Sequence, residues 1–314
     1  MPSPPSIENL TATSSAATLW RLGGKLHVVV AVKASFDLVL DGPMVPAPPS
    51  PIAVADRVPY RPGTDVSFVG RAYLEERTGS AKLGLYADEA LASPVLVKAV
   101  AVRQAEPDPT GVPLEHDAST FVPEAALAPI PPDWEVRQRL AAQRPEGWLL
   151  EQVVEVEDDF DWAFFRSVPT DQQCDFLAGY EWVVLDRLVR SAPTFKTQLP
   201  QAKAVMRVMT PTAMGGPIPL ESRIDTLTID GEAGRCEVTW RGSFSVDDEA
   251  ALKGMAVFAG VELGGKQLSA WPSNTGTLGE SLAPELAARS RPGRSEAAPA
   301  VASPPAPAPP AMAP

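Results

Sequence analysis

The chain has 314 residues, a formal net charge of −12, 45% hydrophobic residues and 35 prolines. A protein of this length can bury a large core, and a proline share about twice the usual one favours loops and turns over long helices. The negative charge disfavours binding to the phosphate backbone of nucleic acids. No stretch approaches the roughly 18 apolar residues that a membrane span needs, so we expect neither a nucleic-acid partner nor membrane insertion.

The cysteines and the N-terminal sequence indicate an intracellular protein. Cys174 and Cys236 are far apart and lack metal-ligand spacing, so we expect neither a disulfide framework nor a zinc site. Residues 1–20 have no basic segment followed by an apolar one, which is unlike a secretory signal. A cytoplasmic location is therefore expected.

The first strands are predicted after a loose start. Residues 1–16 are rich in Pro, Ser, Thr and Ala and are expected to be disordered. Gly23-Gly24 suits the positive φ of a tight turn, which predicts a hairpin between residues 18–22 and a long strand from Lys25. In that strand the even-numbered apolar residues 26–40 share one face, and the other carries His27, Lys33, Ser35 and Asp37.

The next segments continue the β pattern and then lose it. Residues 66–75 and 81–86 are predicted to form a hairpin around Thr78-Gly79-Ser80, and residues 94–103 a further strand. The proline-rich residues 104–132 are predicted to be an irregular crossing. We treat this crossing as a sub-boundary inside a single β-rich domain of residues 17–281.

Two short helices are predicted in the middle of the chain. Asp133 is placed to N-cap a helix over residues 134–142. Thr170 and Gln173 have the spacing of a capping box, and Gly179 is placed to end that second helix in the left-handed conformation.

The C-terminal half is predicted to be β-rich and to end in a tail. Strands are expected at residues 182–188, 194–199, 205–209 and 255–263, with a hairpin of residues 224–229 and 236–240 across Asp230-Gly231. Residues 282–314 are an Ala/Pro tract that we expect to be a disordered tether. The predicted fold class is mainly β (β-rich α+β), with two packed antiparallel sheets, sandwich-like, and a few short helices.

No pattern of catalytic, cofactor or metal residues stands out. His27 and His116 lack an accompanying Gly-x-Ser-x-Gly elbow, and we interpret His27 as an edge or partly buried strand residue. The acidic run of residues 155–161 lacks the calcium-loop pattern and is more typical of a solvated edge, with Asp159 or Asp161 capping the turn at 162–165. We therefore predict no catalytic residue, no cofactor and no bound metal.

The most particular pattern is that of residues 128–181, which we call the middle block. It contains Pro131-Pro132-Asp133-Trp134, Asp159-Phe160-Asp161-Trp162, Phe164-Phe165, Pro169-Thr170-Asp171-Gln172-Gln173 and Leu177-Ala178-Gly179-Tyr180-Glu181. This block resembles a bacterial family of domains of unknown function that is associated with type VI secretion as an accessory protein. Residues 62–66 and 240–242 extend the resemblance to about residues 17–243. A Tyr-Glu-Arg and Gly-Gly signature of that family is missing between Arg103 and Pro129.

The resemblance implies a non-enzymatic adaptor that binds a secretion effector, a spike protein or both before secretion. Because interface centres favour aromatic and arginine side chains, the residues expected to bind the partner are Trp134, Arg137, Trp148, Asp171, Gln172 and Gln173. Phe160, Phe164 and Phe165 are expected to fill a small core instead. Two alternatives stay open: a hydrolase-type enzyme with an unrecognised acidic active site, and a structural subunit of a larger assembly.

Overall fold

A computed structural model describes residues 3–115, 126–131, 134–211 and 217–268. Of the described residues, 49% are in strands and 9% in helices, so the predicted β-rich, sandwich-like fold with few short helices is confirmed. The strands are β1 Ser6–Asn9, β2 Ser14–Leu22, β3 Lys25–Asp37, β4 Gly42–Pro43, β5 Val45–Ala47, β6 Thr64–Val69, β7 Arg71–Ala72, β8 Thr78–Tyr86, β9 Pro94–Arg103, β10 Val112–Pro113, β11 Val153–Val156, β12 Gln173–Cys174, β13 Trp182–Val189, β14 Ala192–Gln198, β15 Lys203–Met209, β16 Ile218–Leu220, β17 Arg223–Asp230, β18 Arg235–Val246 and β19 Ala256–Glu262.

Helices are short. The α-helix α1 spans Glu135–Ala141, and single 3-10 turns lie at Val54–Asp56, Trp148–Leu150, Trp162–Phe165, Thr170–Gln172 and Glu249–Leu252. The N-cap position of α1 is Trp134, and Asp133, the predicted cap, lies outside the described residues. Across the described ranges, no helix has the length and apolar character needed to cross a membrane.

The strands form four sheets. The largest has the order β11-β2-β3-β18-β17-β6-β12, with β5 beside β3; the others are β4-β14-β13-β8-β9, β1-β19-β15-β16 and the pair β7-β10. Three sheets are mixed rather than purely antiparallel, because β1 with β19, β2 with β11, β4 with β14 and β6 with β17 pair in parallel. Parallel neighbours need long connections, so these pairs join distant parts of the chain.

Both faces of β3 are buried. The even-numbered side chains from Leu26 to Phe36 enter the main core, which also takes apolar residues of the five-stranded and four-stranded sheets. On the opposite face Val29 joins a second, aromatic core, and His27, Lys33 and Ser35 are buried as well. The interpretation of His27 as an edge or partly buried residue was wrong, because β3 lies between β2 and β18 and His27 is fully buried.

Residues 53–61, which we call the covering loop, close the polar face of β3 and β18. Lys33 of β3 places its Nζ 2.6 Å from Oδ2 of Asp56 in this loop. Arg241 of β18 donates hydrogen bonds to the backbone oxygens of Asp56 and Val58, at 2.5 and 2.7 Å, and pairs with the buried carboxylate of Asp225. Since buried charges are costly unless paired and hydrogen-bonded, these contacts anchor the covering loop to the sheet.

Several local predictions are confirmed. Gly23 and Gly24, with φ of 55° and 77°, form the turn between β2 and β3. The strands expected near residues 94–103, 182–188, 194–199, 205–209 and 255–263 are β9, β13, β14, β15 and β19, and β17 and β18 form the predicted hairpin.

Three local predictions were wrong. Residues 78–80 are not a turn, because β8 runs through them and pairs with β9 and β13, while β6 pairs with β17 and β12. The helix expected from Thr170 to Gly179 is only the turn Thr170–Gln172 followed by β12. Part of the N-terminal segment expected to be disordered forms β1, which pairs with residues 256–259. Residues 282–314, the predicted tail, lie outside the described residues.

Candidate functional site: an arginine-lined cavity

Two segments of the family-like pattern meet at one buried carboxylate. Asp65 of β6 is fully buried. Its Oδ2 accepts hydrogen bonds from the backbone N and the Oγ of Ser167, both at 2.8 Å, and its Oδ1 accepts one from Nε2 of Gln173 at 2.7 Å. Nη1 of Arg61 donates to the same Oδ2 at 2.5 Å. Asp65 therefore ties the covering loop and the middle block to β6.

The polar triplet Asp171-Gln172-Gln173 is mostly structural. Gln172 is fully buried, and its Nε2 donates to the backbone oxygens of Val66 and Leu127, at 2.9 and 2.7 Å. Lys98 of β9 donates to Oε1 of Gln172 and forms an ion pair with Asp171. Gln172 thus presents no surface to a partner, contrary to the expectation from the sequence.

The motif at residues 177–181 is a turn held by its own carboxylate. Glu181 is buried and accepts hydrogen bonds from the backbone N atoms of Ala178, Gly179 and Tyr180, at 2.6, 2.9 and 3.1 Å. Gly179 has a φ of 91°, and a Cβ there would lie 2.3 Å from the backbone oxygen of Ala202. Only glycine fits this close approach.

The aromatic residues of the middle block form a second core with β2. Trp148 is 8% exposed and meets Trp20 edge-on, with ring centroids 6.5 Å apart, and Phe164 at 5.5 Å. Phe164 and Phe165 are buried, as predicted, and Phe160 packs against them partly buried. The Asp161 side chain accepts a hydrogen bond from Ala163 N, which confirms its predicted capping role. Trp148 is therefore a core residue and not part of a partner surface.

A cavity of about 350 Å³ lies between the covering loop and the middle block. Its charged lining consists of Arg57, Arg61, Arg137 and Arg166, and its apolar lining includes Val54, Val58, Ile130, Leu149, Phe164 and Phe165. We call it the arginine cavity. Its volume lies within the range of ligand pockets, about 300–1,000 Å³.

Arg61 is the most enclosed of the four arginines, with 4% of its surface exposed. Its guanidinium donates to Asp65, to Oγ of Ser167 at 2.5 Å and to the backbone oxygen of Ala55 at 3.4 Å. Its Nε is buried and has no hydrogen-bond partner among the described residues. Asp65 neutralises this charge but does not saturate its donors.

Arg137 is held by backbone oxygens and not by a carboxylate. Its Nε, Nη1 and Nη2 donate to the oxygens of Phe164, Pro131 and Arg166, at 3.4, 3.2 and 2.6 Å. Burial lowers the pKa of the Arg137 guanidinium, and the positive charge of Arg61 lowers it further. Arginine nevertheless stays protonated in proteins, so two positive charges face one neutralising carboxylate.

Arg57 and Arg166 add to this excess. Arg57 is exposed at the cavity and Arg166 is half-buried. No ion pair to either is found in the part of the chain that the structure describes. Among the described residues, three of the four arginines therefore have no carboxylate partner, in a protein with a net charge of −12.

The other cavities and reactive groups are less distinctive. A cavity of about 340 Å³ beside β19 is lined by Phe36, Pro46, Val261 and neighbours without a charged side chain. A cleft next to Arg241 measures about 30 Å³. Burial raises the pKa of the Cys174 thiol to about 12 and raises that of Cys236 also, so neither thiol is ionised near neutral pH. His116 lies outside the described residues.

Residues 93–241 match a family described as an uncharacterized protein conserved in bacteria (DUF2169). The matched segment is a little under half of the chain. It contains Arg137 and Arg166, whereas Arg57 and Arg61 precede it. The description states no activity and no link to type VI secretion. Neither a search of curated proteins nor one of solved structures found a match.

Of the residues expected to bind a partner, only Arg137 lines the arginine cavity. Trp134 is half-buried at the start of α1, Asp171 is exposed and paired with Lys98, and Gln173 is half-buried against Asp65. Sequence reasoning missed Arg57, Arg61 and Arg166. The available signal was adjacency, because Arg61 directly precedes the segment 62–66 and Arg166 directly follows Phe164-Phe165.

Proposed function

We propose that this protein is a non-enzymatic accessory protein of a bacterial type VI secretion system, which binds an effector or a spike component before secretion. The similarity of the middle block to that family suggests the system. The observation that carries the binding role is the arginine cavity, where four arginines face one paired carboxylate among the described residues. An unbalanced charge on a side chain withdrawn from water, such as that of Arg137, is costly unless a ligand supplies the missing negative charge.

The distribution of charge supports a protein partner. The chain carries −12 overall, while the arginine cavity is positive. A partner with a mainly basic face would be attracted by the net charge, since complementary potentials raise association rates. An anionic group on that face would then enter the cavity. The negative net charge would thus attract the basic face, and the positive cavity would bind the anionic group.

The test is reconstitution with candidate type VI effector and spike proteins encoded in the same genome. The full chain is co-expressed with each of them, complexes are isolated by size exclusion, and Kd is measured by calorimetry. We expect a complex with one of them, and a Kd at least about tenfold weaker for the double variant Arg57→Gln/Arg166→Gln. Within the described residues, neither side chain makes a hydrogen bond or ion pair with the fold, so the variant should remain folded.

Arg77→Gln is the control, because Arg77 is exposed and its ion pair in the described structure is with the exposed Glu106. It removes one positive charge away from the cavity, where the double variant removes two, and should leave Kd unchanged. Failure to recover a complex with any effector or spike protein would overturn the proposed function. A complex that tolerates the double variant as well as the control would remove the cavity from it.

A further inference from the structure

We infer that the arginine cavity binds the C-terminal carboxylate of a polypeptide whose last residue is apolar. This inference rests on the proposed function for the class of partner. It adds the chemical group that the partner presents and the residues that recognise it.

Arg61 and Arg137 both have unused hydrogen-bond donors. A guanidinium has five N–H donors. Arg61 uses three of them, on Asp65, Ser167 and Ala55, and Arg137 uses three on backbone oxygens. Two donors on each side chain therefore have no partner in the described structure, and one of these is the buried Nε of Arg61. Paired guanidinium donors match the geometry of a carboxylate.

The charged side chains that line the cavity are all positive. Arg61 and Arg137 are close enough for the charge of one to lower the pKa of the other. Among the described residues Asp65 pairs with Arg61, and Arg137 has no carboxylate. A single added negative charge would restore the balance between these two side chains, and the charges of Arg57 and Arg166 in the same lining would attract it.

The apolar part of the cavity lining restricts the ligand further. Val54, Val58, Ile130, Leu149, Phe164 and Phe165 share the cavity with the arginines. A ligand that fills it must combine a carboxylate with an apolar group. The last residue of a polypeptide carries both on one Cα, whereas an internal Asp or Glu needs a second residue for the apolar part.

The size of the cavity limits which part of a polypeptide can enter it. A volume of about 350 Å³ admits one or two residues, but a packed helix is about 10–12 Å across and would not enter. A chain end needs only one opening, whereas an internal segment must enter and leave. The terminal residue is thus the part of a polypeptide that fits best.

The experiment uses the full chain and fluorescein-labelled probes measured by fluorescence anisotropy. The main probe is the pentapeptide Gly-Ser-Gly-Ala-Leu with a free carboxylate. We expect amidation of its C-terminus to weaken binding at least about tenfold, because the charged acceptor is lost. Replacing the terminal Leu by Gly should weaken it about tenfold or more, because the apolar burial is lost. Equal binding of the three peptides, or no binding of the free acid, would overturn the inference.

Competition experiments distinguish a peptide C-terminus from other ligands that carry a carboxylate or a negative charge. Decanoate has a carboxylate and an apolar body without a peptide, and inorganic phosphate has only the negative charge. We expect the free-acid peptide to bind more tightly than either compound. If decanoate displaces it at lower concentration, the cavity is a site for free carboxylic acids; if phosphate does, it is a simple anion site, and either result overturns the peptide assignment.

Variants locate the binding. Arg57→Gln/Arg166→Gln should weaken the free-acid peptide at least about tenfold and leave the amidated peptide unchanged, while Arg77→Gln should change neither. Arg137→Lys keeps the charge but loses the planar fork, so it should also weaken the free acid. Circular dichroism is used to check that each variant is folded, and because Arg57 is exposed, the double variant should disturb the fold less than Arg137→Lys.

Extending the partner's C-terminus distinguishes recognition of that terminus from the accessory role. Appending Gly-Ser-Gly-Lys to the C-terminus of a bound effector or spike protein should abolish its complex if the terminus is recognised. If the complex survives, the inference is wrong and the accessory role stands. If the pentapeptide binds as expected but no effector or spike protein does, the proposed function is wrong and the peptide site stands.

Discussion

At the scale of single residues, the molecule depends on a few buried charges. Lys33 with Asp56, Arg61 with Asp65 and Arg241 with Asp225 all lie on the side of the large sheet that the covering loop closes. Pairs of this kind give little net stability because desolvation offsets their attraction, but removing one partner leaves an uncompensated charge. Their main effect is to fix the position of the covering loop, and with it one wall of the arginine cavity.

Asp65 gives the sharpest test of this role. Asp65→Asn removes the carboxylate that neutralises Arg61 in the described structure and should lower the free energy of unfolding by about 3–5 kcal/mol. Urea denaturation followed by tryptophan fluorescence measures the change. The matched control is Asp37→Asn, because Asp37 is 52% exposed and lies 3.7 Å from Arg235; its loss should stay below about 1 kcal/mol. Similar losses for the two variants would contradict the buried-charge account.

At the scale of elements, the middle block is held by aromatic packing more than by regular structure. Its only α-helix in the described residues is the seven-residue α1, and the rest consists of single 3-10 turns and two short strands. The rings of Trp148 and Phe165 pack on Trp20 of β2, and Phe164 packs against both of them. Large buried rings supply the free energy that such short elements cannot supply by hydrogen bonding alone.

The turn Trp148–Leu150 offers an internal comparison. Trp148→Ala should lower the free energy of unfolding by about 3–5 kcal/mol, because it opens a cavity in the aromatic core. Leu150→Ala, two residues along the same turn, removes a side chain that is 67% exposed and should cost less than about 1 kcal/mol. Chemical denaturation measures both. A cost for Leu150→Ala equal to that for Trp148→Ala would show that the turn, and not the core, is the sensitive feature.

At the scale of the whole molecule, distant parts of the chain meet in one sheet. β1, near the N-terminus, pairs in parallel with β19, and Leu10 N donates to the backbone oxygen of Ala259 at 2.7 Å. β1 thereby covers one edge of β19, whose Val257 and Ala259 are buried. Uncovered edges of this kind pair with other chains.

A deletion tests this arrangement. A chain that starts at residue 11 should lose about 2 kcal/mol of stability, from several backbone hydrogen bonds, and should self-associate through the exposed edge of β19. Denaturation and sedimentation velocity measure the two effects. A chain that starts at residue 5 keeps β1 and should behave like the full protein. If both truncated chains remain equally stable and monomeric, β1 does not protect this edge.

The strands were predictable where their patterns are local. The alternation in β3, the glycine pair after β2 and the hairpin of β17 and β18 depend on neighbours in sequence, and each is present. The failures have a common cause. Thr170 and Gln173 have the spacing of a helix cap, but the Gln172 side chain between them donates hydrogen bonds to the backbone oxygens of Val66 and Leu127. Such tertiary contacts override local propensity.

The candidate site was predictable only in part. Arg137 stood out because it lies in the middle block, and Phe164 and Phe165 were expected to be buried. Arg61 and Arg166 are 105 positions apart in the chain, and no periodicity connects them. Their convergence depends on Asp65, which binds Arg61 and Ser167 at once.

The sequence by itself determined the β-rich class, most strand positions and the tight turns, because side-chain alternation and backbone conformation act over a few residues. The tertiary structure alone decided that both faces of β3 are buried, that Trp148 and Gln172 are internal, and that four arginines share one cavity. Burial and charge balance are sums over residues from distant segments. They are defined only once packing brings those segments together.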